Sequence, residues 1–163
     1  MKKLPFEKPK KKRLKSISSL KRKAWKIFSE YIRRRDADEN GYNRCVTCPE
    51  ESSKSHWKLL QASHIVAGRR LGILFDERGV YPACYVCNIH KHGNVLEFLA
   101  FLRKKHGRDE ADAIIEELKV KSKESVKWSR EDFEAVINKY QGLLATLPNG
   151  NGGAQDSAKQ KNN

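Results

Sequence analysis

Apolar positions along the chain fall into four helical stripes and two short strand-like runs. Leu20, Ala24, Ile27, Phe28 and Tyr31 recur at helical spacing. They predict an amphipathic helix from a Ser18 or Ser19 cap to about Arg35, ending before Asn40-Gly41. Lys21, Arg22, Lys23, Lys26, Arg33 and Arg34 fall mostly off that stripe, so the helix turns a positive face to solvent or phosphate. After a polar loop at 50–55, Trp57 to Ile65 reads as a mixed strand ending at His64, and Val80 to Ala83 as a second strand. Gly68, Arg69, Arg70 and Gly72 make the connection flexible and basic, giving a hairpin with a long loop. Val95 to Lys105 is apolar on most sides (Val95, Leu96, Phe98, Leu99, Phe101, Leu102), which predicts a central, well-buried helix. Asp109 to Lys119 carries Ala111, Ile114, Ile115 and Leu118 on one stripe. Ser129 caps a last helix with acids in its first turn, and Phe133, Val136, Ile137, Tyr140, Leu143, Leu144 and Leu147 give it a long apolar face. That face is expected to be core or a homodimer interface.

The ends are different. Residues 1–16 hold two prolines and a Lys/Arg cluster and predict a disordered basic arm; 148–163 are Asn, Gly, Gln, Ser and Lys and predict a disordered tail. Between them, 17–147 form one domain. Composition sharpens this picture in one respect. The net charge is +14, yet residues 1–35 hold 15 Lys/Arg against two Glu, so nearly all the excess lies at the N-terminus. Such a block points to a polyanion partner, with nucleic acid the common case, and less often to an import signal or solubilising tail. The positions expected to meet phosphate are Lys10, Lys11, Lys12 and Arg13 in the arm, Lys21 and Arg22 on the first helix, and Arg69 and Arg70 in the loop. No apolar run follows Lys15, and no stretch approaches the roughly 20 apolar residues of a membrane span. A cytoplasmic, reducing compartment is expected.

The candidate chemistry lies in three pieces: Cys45-Val46-Thr47-Cys48, His64, and Cys84-Tyr85-Val86-Cys87-Asn88-Ile89-His90-Lys91-His92-Gly93-Asn94. A Cys-x-x-Cys turn sets two sulfurs at the right spacing for one tetrahedral Zn²⁺, and two turns complete a four-thiolate shell with no cysteine left over. The alternative is two disulfides, which a reducing compartment disfavours. A closed four-sulfur site is structural, so any reaction must come from His64 and the residues after Cys87. A neutral imidazole at a strand end can take a proton from water attacking a phosphodiester. The Asn88 carbonyl oxygen suits a hard cation such as Mg²⁺ or Mn²⁺, and Lys91 and Arg70 could hold phosphate. The plainer readings stay open. His64 could be a hydrogen-bonded structural residue, Asn88 a cap, and His90 and His92 exposed turn residues.

The order Cys-x-x-Cys, His, Cys-x-x-Cys-Asn-x-x-Lys resembles the zinc-containing branch of the HNH (ββα-metal, His-Me finger) nucleases. It looks most like the NinG, or Rap, recombination proteins of lambdoid phages, and the layout is similar to endonuclease VII-type Holliday-junction resolvases. The likeness runs from Tyr31-Ile32-Arg33-Arg34-Arg35-Asp36 through both thiol turns, Ser63-His64-Ile65 and Phe75-Asp76-Glu77-Arg78, and weakly into Trp128-Ser129-Arg130-Glu131. It implies an α+β fold with a ββα-metal core flanked by N- and C-terminal helices. It further implies a metal-dependent endodeoxyribonuclease acting on branched recombination intermediates, such as a Holliday junction or D-loop. His64 takes the general-base place, Asn88 the catalytic-cation place, and Cys45, Cys48, Cys84 and Cys87 the structural zinc. DNA is then the partner, with other recombination proteins possible. Two positions depart from the pattern. Ser63 stands where many HNH nucleases carry an acidic or His metal ligand, and Gly79 stands where their middle Asn would fall. A second ligand would have to come from Asp76, His90 or His92. The alternative function is a non-catalytic zinc module that binds branched DNA.

Overall fold

A computed structural model describes residues 15–148. Lys10, Lys11, Lys12 and Arg13, with nearly all of the expected arm and tail, lie outside the described residues. The fold is α+β: four helices enclose two small antiparallel ladders.

Helix α1 (Ile17–Arg34) starts two or three residues earlier than a Ser18 or Ser19 cap would place it. Ser16 is its cap, and its side chain accepts from the Ser19 amide. The stripe buries Leu20, Ala24, Phe28 and Ile32. Helix α4 (Arg130–Thr146) begins at the expected Ser129 with a reciprocal capping box to Asp132. Its Phe133, Ile137 and Tyr140 are buried, and they pack with α1: Leu20, Ala24, Phe133 and Ile137 form one cluster. Phe28 meets Tyr140 edge-on at 4.9 Å between ring centroids. The Phe133, Ile137 and Tyr140 part of the apolar face of α4 is therefore core.

Strands β1 (Tyr42–Asn43) and β2 (Ser55–His56) pair and close the loop that carries the first thiol turn. The expected strand over 57–65 is shorter. Trp57–Leu59 is a 3₁₀ turn, and only Gln61–His64 extends, as β3. Arg33 explains the interruption, since its guanidinium reaches the carbonyls of Trp57 and Leu60 and lies over the Trp57 ring. Strand β4 (Val80–Ala83) pairs with β3 in antiparallel register, Gln61 opposite Ala83 and His64 opposite Val80.

Alternation along this hairpin sorts its side chains. Ala62 and Val80 join Phe28, Ile32 and Tyr140 on the α1/α4 side. Tyr81 joins Phe98 and Leu102 of α2 (Val95–His106), together with Ala111, Ile114 and Leu118 of α3 (Arg108–Lys123), on the other. Helix α2 is not the central helix its composition suggests. Only Phe98 and Leu102 are buried, and Leu96 is 80% exposed, because α2 has neighbours on one side alone. The loop between β3 and β4 is a chain of tight turns ending in a 3₁₀ turn at Glu77–Gly79. Gly79, where an Asn was sought by resemblance, is buried against α3: a Cβ there would stand 2.5 Å from Leu118 Cδ1. Among the described residues, no helix is long and apolar enough to cross a membrane.

Candidate metal centre and basic cleft

The two thiol turns meet. All four sulfurs of Cys45, Cys48, Cys84 and Cys87 lie within 4.8 Å of one another. Cys48 Sγ is 3.8 Å from Cys84 Sγ and 3.6 Å from Cys87 Sγ. A tetrahedral ion with Zn–S of about 2.3 Å holds its sulfurs about 3.8 Å apart, so the cluster fits Zn²⁺. A disulfide needs about 2.05 Å, and all four cysteines are free. Two contacts favour thiolate while burial opposes it. The Cys87 amide points at Cys84 Sγ at 3.4 Å, and the Thr47 hydroxyl lies 3.3 Å from Cys45 Sγ. Burial pushes the Cys48 and Cys84 thiols up. At Cys45 burial acts the same way, but hydrogen bonds led by Thr47 outweigh it and bring the thiol down to about 7. A bound divalent cation would deprotonate all four.

Asn94 ties the two turns together. Its amide nitrogen donates to the Thr47 carbonyl at 2.9 Å. Asn94 and His92 both have positive φ, 47° and 48°, flanking Gly93 at 88°. This left-handed run ends the π-helical turn Val86–His90 and aims the chain into α2.

His64 closes β3 with its ring stacked on Trp25 of α1, centroids 5.4 Å apart and planes at 18°. Its Nε2 is 3.3 Å from the Leu74 carbonyl. A carbonyl only accepts, so Nε2 carries the proton and Nδ1 keeps the lone pair. Burial holds the His64 pKa below its ordinary value; the Leu74 bond opposes this and the Arg69 charge adds to it. The imidazole is therefore neutral at pH 7. Arg69 lies over the same Trp25 ring at 4.7 Å. Lys21 and Arg22, four and three residues before Trp25, flank it on the helix surface, and Arg70 is exposed beside Arg69. Lys21, Arg22 and Arg69, expected to meet phosphate, thus lie around Trp25, while Lys91 sits after the second thiol turn. Trp25 was absent from the sequence reading because it falls off the apolar stripe of α1.

Asn88 belongs to the other half of the hairpin. Its amide nitrogen donates to Gln61 Oε1 at 2.6 Å. Gln61 and Ser63 share one face of β3, while Ala62 and His64 share the opposite face. The general base and the cation ligand expected from sequence therefore approach the hairpin from opposite faces. Asp76 is engaged elsewhere. Arg78 holds both its oxygens, at 3.0 and 2.7 Å, and bonds Glu117 as well. That fork depresses the Asp76 pKa despite burial, which acts against it. His90, Lys91 and His92 are exposed, and His90 rests edge-on against Tyr85. Ser63 Oγ is, among the described residues, the buried side-chain oxygen or nitrogen left without a hydrogen-bond partner. A groove of about 590 Å³, lined by Cys45, Cys48, Pro82, Phe101 and Lys104 among others, runs between the first thiol turn and α2.

Against known proteins, a family model described as the bacteriophage lambda NinG protein matches residues 3–149. The chain is 29% identical over 128 residues to Protein ninG of Escherichia phage 933W, covering 78% of this chain and 58% of that one. It is 29% identical over 126 residues to Protein ninG of Salmonella phage P22, with 77% and 56% covered. To Protein ninG of Escherichia phage lambda it is 28% identical over 128 residues, with 78% and 57% covered. The chain spans somewhat more than half the length of these curated relatives. No solved structure matches it.

Proposed function

The chain belongs to the NinG family, and from that premise we propose that it is a structure-selective DNA endonuclease acting on branched recombination intermediates. The observation that carries the reading is His64: a neutral imidazole, fixed by the Leu74 carbonyl and the Trp25 ring, with Arg69 over the same Trp25 ring and the basic face of α1 alongside. The arm and α1 supply most of the positive charge and hold the DNA backbone. Nδ1 of His64 takes a proton from a water whose oxygen attacks phosphorus. The bond from phosphorus to the leaving oxygen breaks, and that oxygen is protonated from solvent. The Cys45, Cys48, Cys84 and Cys87 zinc is scaffold. Asn88 would hold a catalytic Mg²⁺ or Mn²⁺, which when bound stabilises charge on the phosphate and the leaving oxygen.

The test is purified protein with Mg²⁺ and a labelled four-way junction, beside a linear duplex. Junction-selective cutting is expected. His64→Ala should lower its rate by about 10²- to 10⁴-fold while zinc content and junction binding persist. Cutting at the parental rate by His64→Ala would remove His64 as base. A second reading is favoured by the opposite orientation of His64 and Asn88 and by a neutral Ser63 where a charged metal ligand was expected: a module that binds branched DNA without cutting it. Tight junction binding with no cleavage under any divalent cation would establish that reading instead.

A further inference from the structure

The 3₁₀ turn Trp57–Leu59 is pinned from three sides. The Trp57 amide donates to the Gly41 carbonyl at 2.8 Å, and the Lys58 amide to His56 Nδ1 at 3.3 Å. From α1, Arg33 reaches the carbonyls on either side of Leu59, that of Trp57 at 3.4 Å and that of Leu60 at 3.3 Å. The side chain this turn presents is nevertheless apolar and open: Leu59 is 72% exposed. Cations surround its base. The charged ends of Arg33, Arg34 and Lys58 stand 5.1, 5.5 and 5.6 Å from the centre of the Trp57 ring. From Ser52 to Phe75 the chain holds Lys54, Lys58, Arg69 and Arg70 and no Asp or Glu. An apolar tip ringed by positive charge suits a partner with phosphate outside and base faces within. A second copy of this chain, at net charge +14, would instead bring like charge to the same place. Arg33 also follows Trp25 by eight residues on α1. That is about 12 Å along the helix axis, or about three to four base steps, so one DNA can meet both this turn and the basic cluster at Trp25.

We propose that Leu59 is a wedge that enters the interrupted base stack at a DNA branch, while Lys58 and Arg34 hold the flanking phosphates. The proposal rests on the branched-DNA reading above, and it applies whether or not the chain cuts. In a continuous duplex an inserted side chain must first unstack a base step. At a branch that stacking is already broken, so burial of the Leu59 side chain favours the junction alone. The pinned turn lets the wedge enter without first being ordered.

The experiment compares binding of a four-way junction and of a linear duplex by the zinc-loaded full chain, in the His64→Ala background so that DNA stays intact. A second junction carries 2-aminopurine at the branch, whose fluorescence rises when it is unstacked. Leu59→Ala should lower the junction-to-duplex affinity ratio by about tenfold and shrink the 2-aminopurine rise, with duplex binding and zinc content unchanged. Leu59→Met keeps an apolar tip and should keep both signals. Lys58→Ala should weaken junction and duplex alike and lower the salt slope by about one. An unchanged ratio in Leu59→Ala, or an equal loss on both DNAs, would overturn the wedge. So would a change of oligomeric state in DNA-free Leu59→Ala, which would make this side chain a contact between copies. A parent that shows no preference for the junction is a different failure, since it removes the branched-DNA reading itself.

Discussion

Gly79 offers a substitution whose sign separates two physical effects. Its φ lies outside the left-handed region, so an alanine meets no backbone penalty there. In open space Gly79→Ala would stabilise by about 0.4–1 kcal/mol through the unfolded chain. The space is not open. The new methyl would stand 2.5 Å from Leu118 Cδ1, where carbon atoms prefer about 3.5–4.0 Å. Leu118 is 1% exposed and is held among Ile65, Ile73, Ala111 and Ile114, so its methyl has nowhere to withdraw. Overpacking of this kind costs about 1–3 kcal/mol. The net expectation is a loss of up to about 2.6 kcal/mol, with steric cost outweighing the entropic gain. Leu118→Ala alone should cost about 2–5 kcal/mol, and in that background Gly79→Ala should cost nothing or help. Urea unfolding of the four zinc-loaded proteins gives the cycle, and non-additivity of about 1 kcal/mol or more is expected. A stabilised Gly79→Ala, or a strictly additive double variant, would refute the steric argument. The same glycine accepts the Ile65 amide, next in chain to His64, so a bulkier Asn at this position should disturb the base rather than orient it.

Three other outcomes follow from charge and metal chemistry. The full chain should carry one Zn²⁺, and Cys45→Ser or Cys87→Ser should lose both metal and cooperative unfolding, because ligation energy is folding energy in such sites; elemental analysis without zinc and normal melting after chelation would contradict this. Deleting residues 1–15 removes eight Lys/Arg, and three to five of them in phosphate contact would flatten the log–log salt dependence of DNA binding by about three to four units; an unchanged slope would show that the arm does not touch the backbone. Burial keeps the folded His64 pKa below the unfolded value of about 6.5, so its contribution to stability is complete above that pH and is lost as pH falls through the folded value. Trp25→Ala should move the His64 titration, followed by imidazole NMR, back up toward 6.5, whereas a titration already at the ordinary value in the parent would remove the buried-base description.

The parts of this protein that repeat a period were legible, and the parts built by a single long-range contact were not. Leu20, Ala24 and Phe28, with Phe133, Ile137 and Tyr140, announce α1 and α4 because a helix must bury one stripe. The paired Cys-x-x-Cys turns announce a metal cluster because the chemistry fixes their spacing. The interruption at Trp57–Leu59 depends on Arg33, 24 residues earlier, and has no local signal. The exposure of Leu96 depends on what α2 lacks as a neighbour, which composition does not state.

The site divides the same way. His64 and the thiols were visible as residue types, but Trp25 and Gln61 stand out only through their contacts, with the imidazole at one face of β3 and the Asn88 amide at the other. One sequence rule did reach further than it was used: in Gln61-Ala62-Ser63-His64 a strand's alternation alone puts Gln61 and His64 on opposite faces. For the proposed hydrolysis this has a direct consequence. A phosphodiester lying on either face meets only half of the machinery. It must cross an edge or end of the hairpin to meet both Nδ1 of His64 and the oxygen of Asn88. The backbone at a branch point changes direction within a few nucleotides and can make that crossing, whereas DNA confined to one face leaves the non-cutting module, and the junction assay with His64→Ala decides between the two.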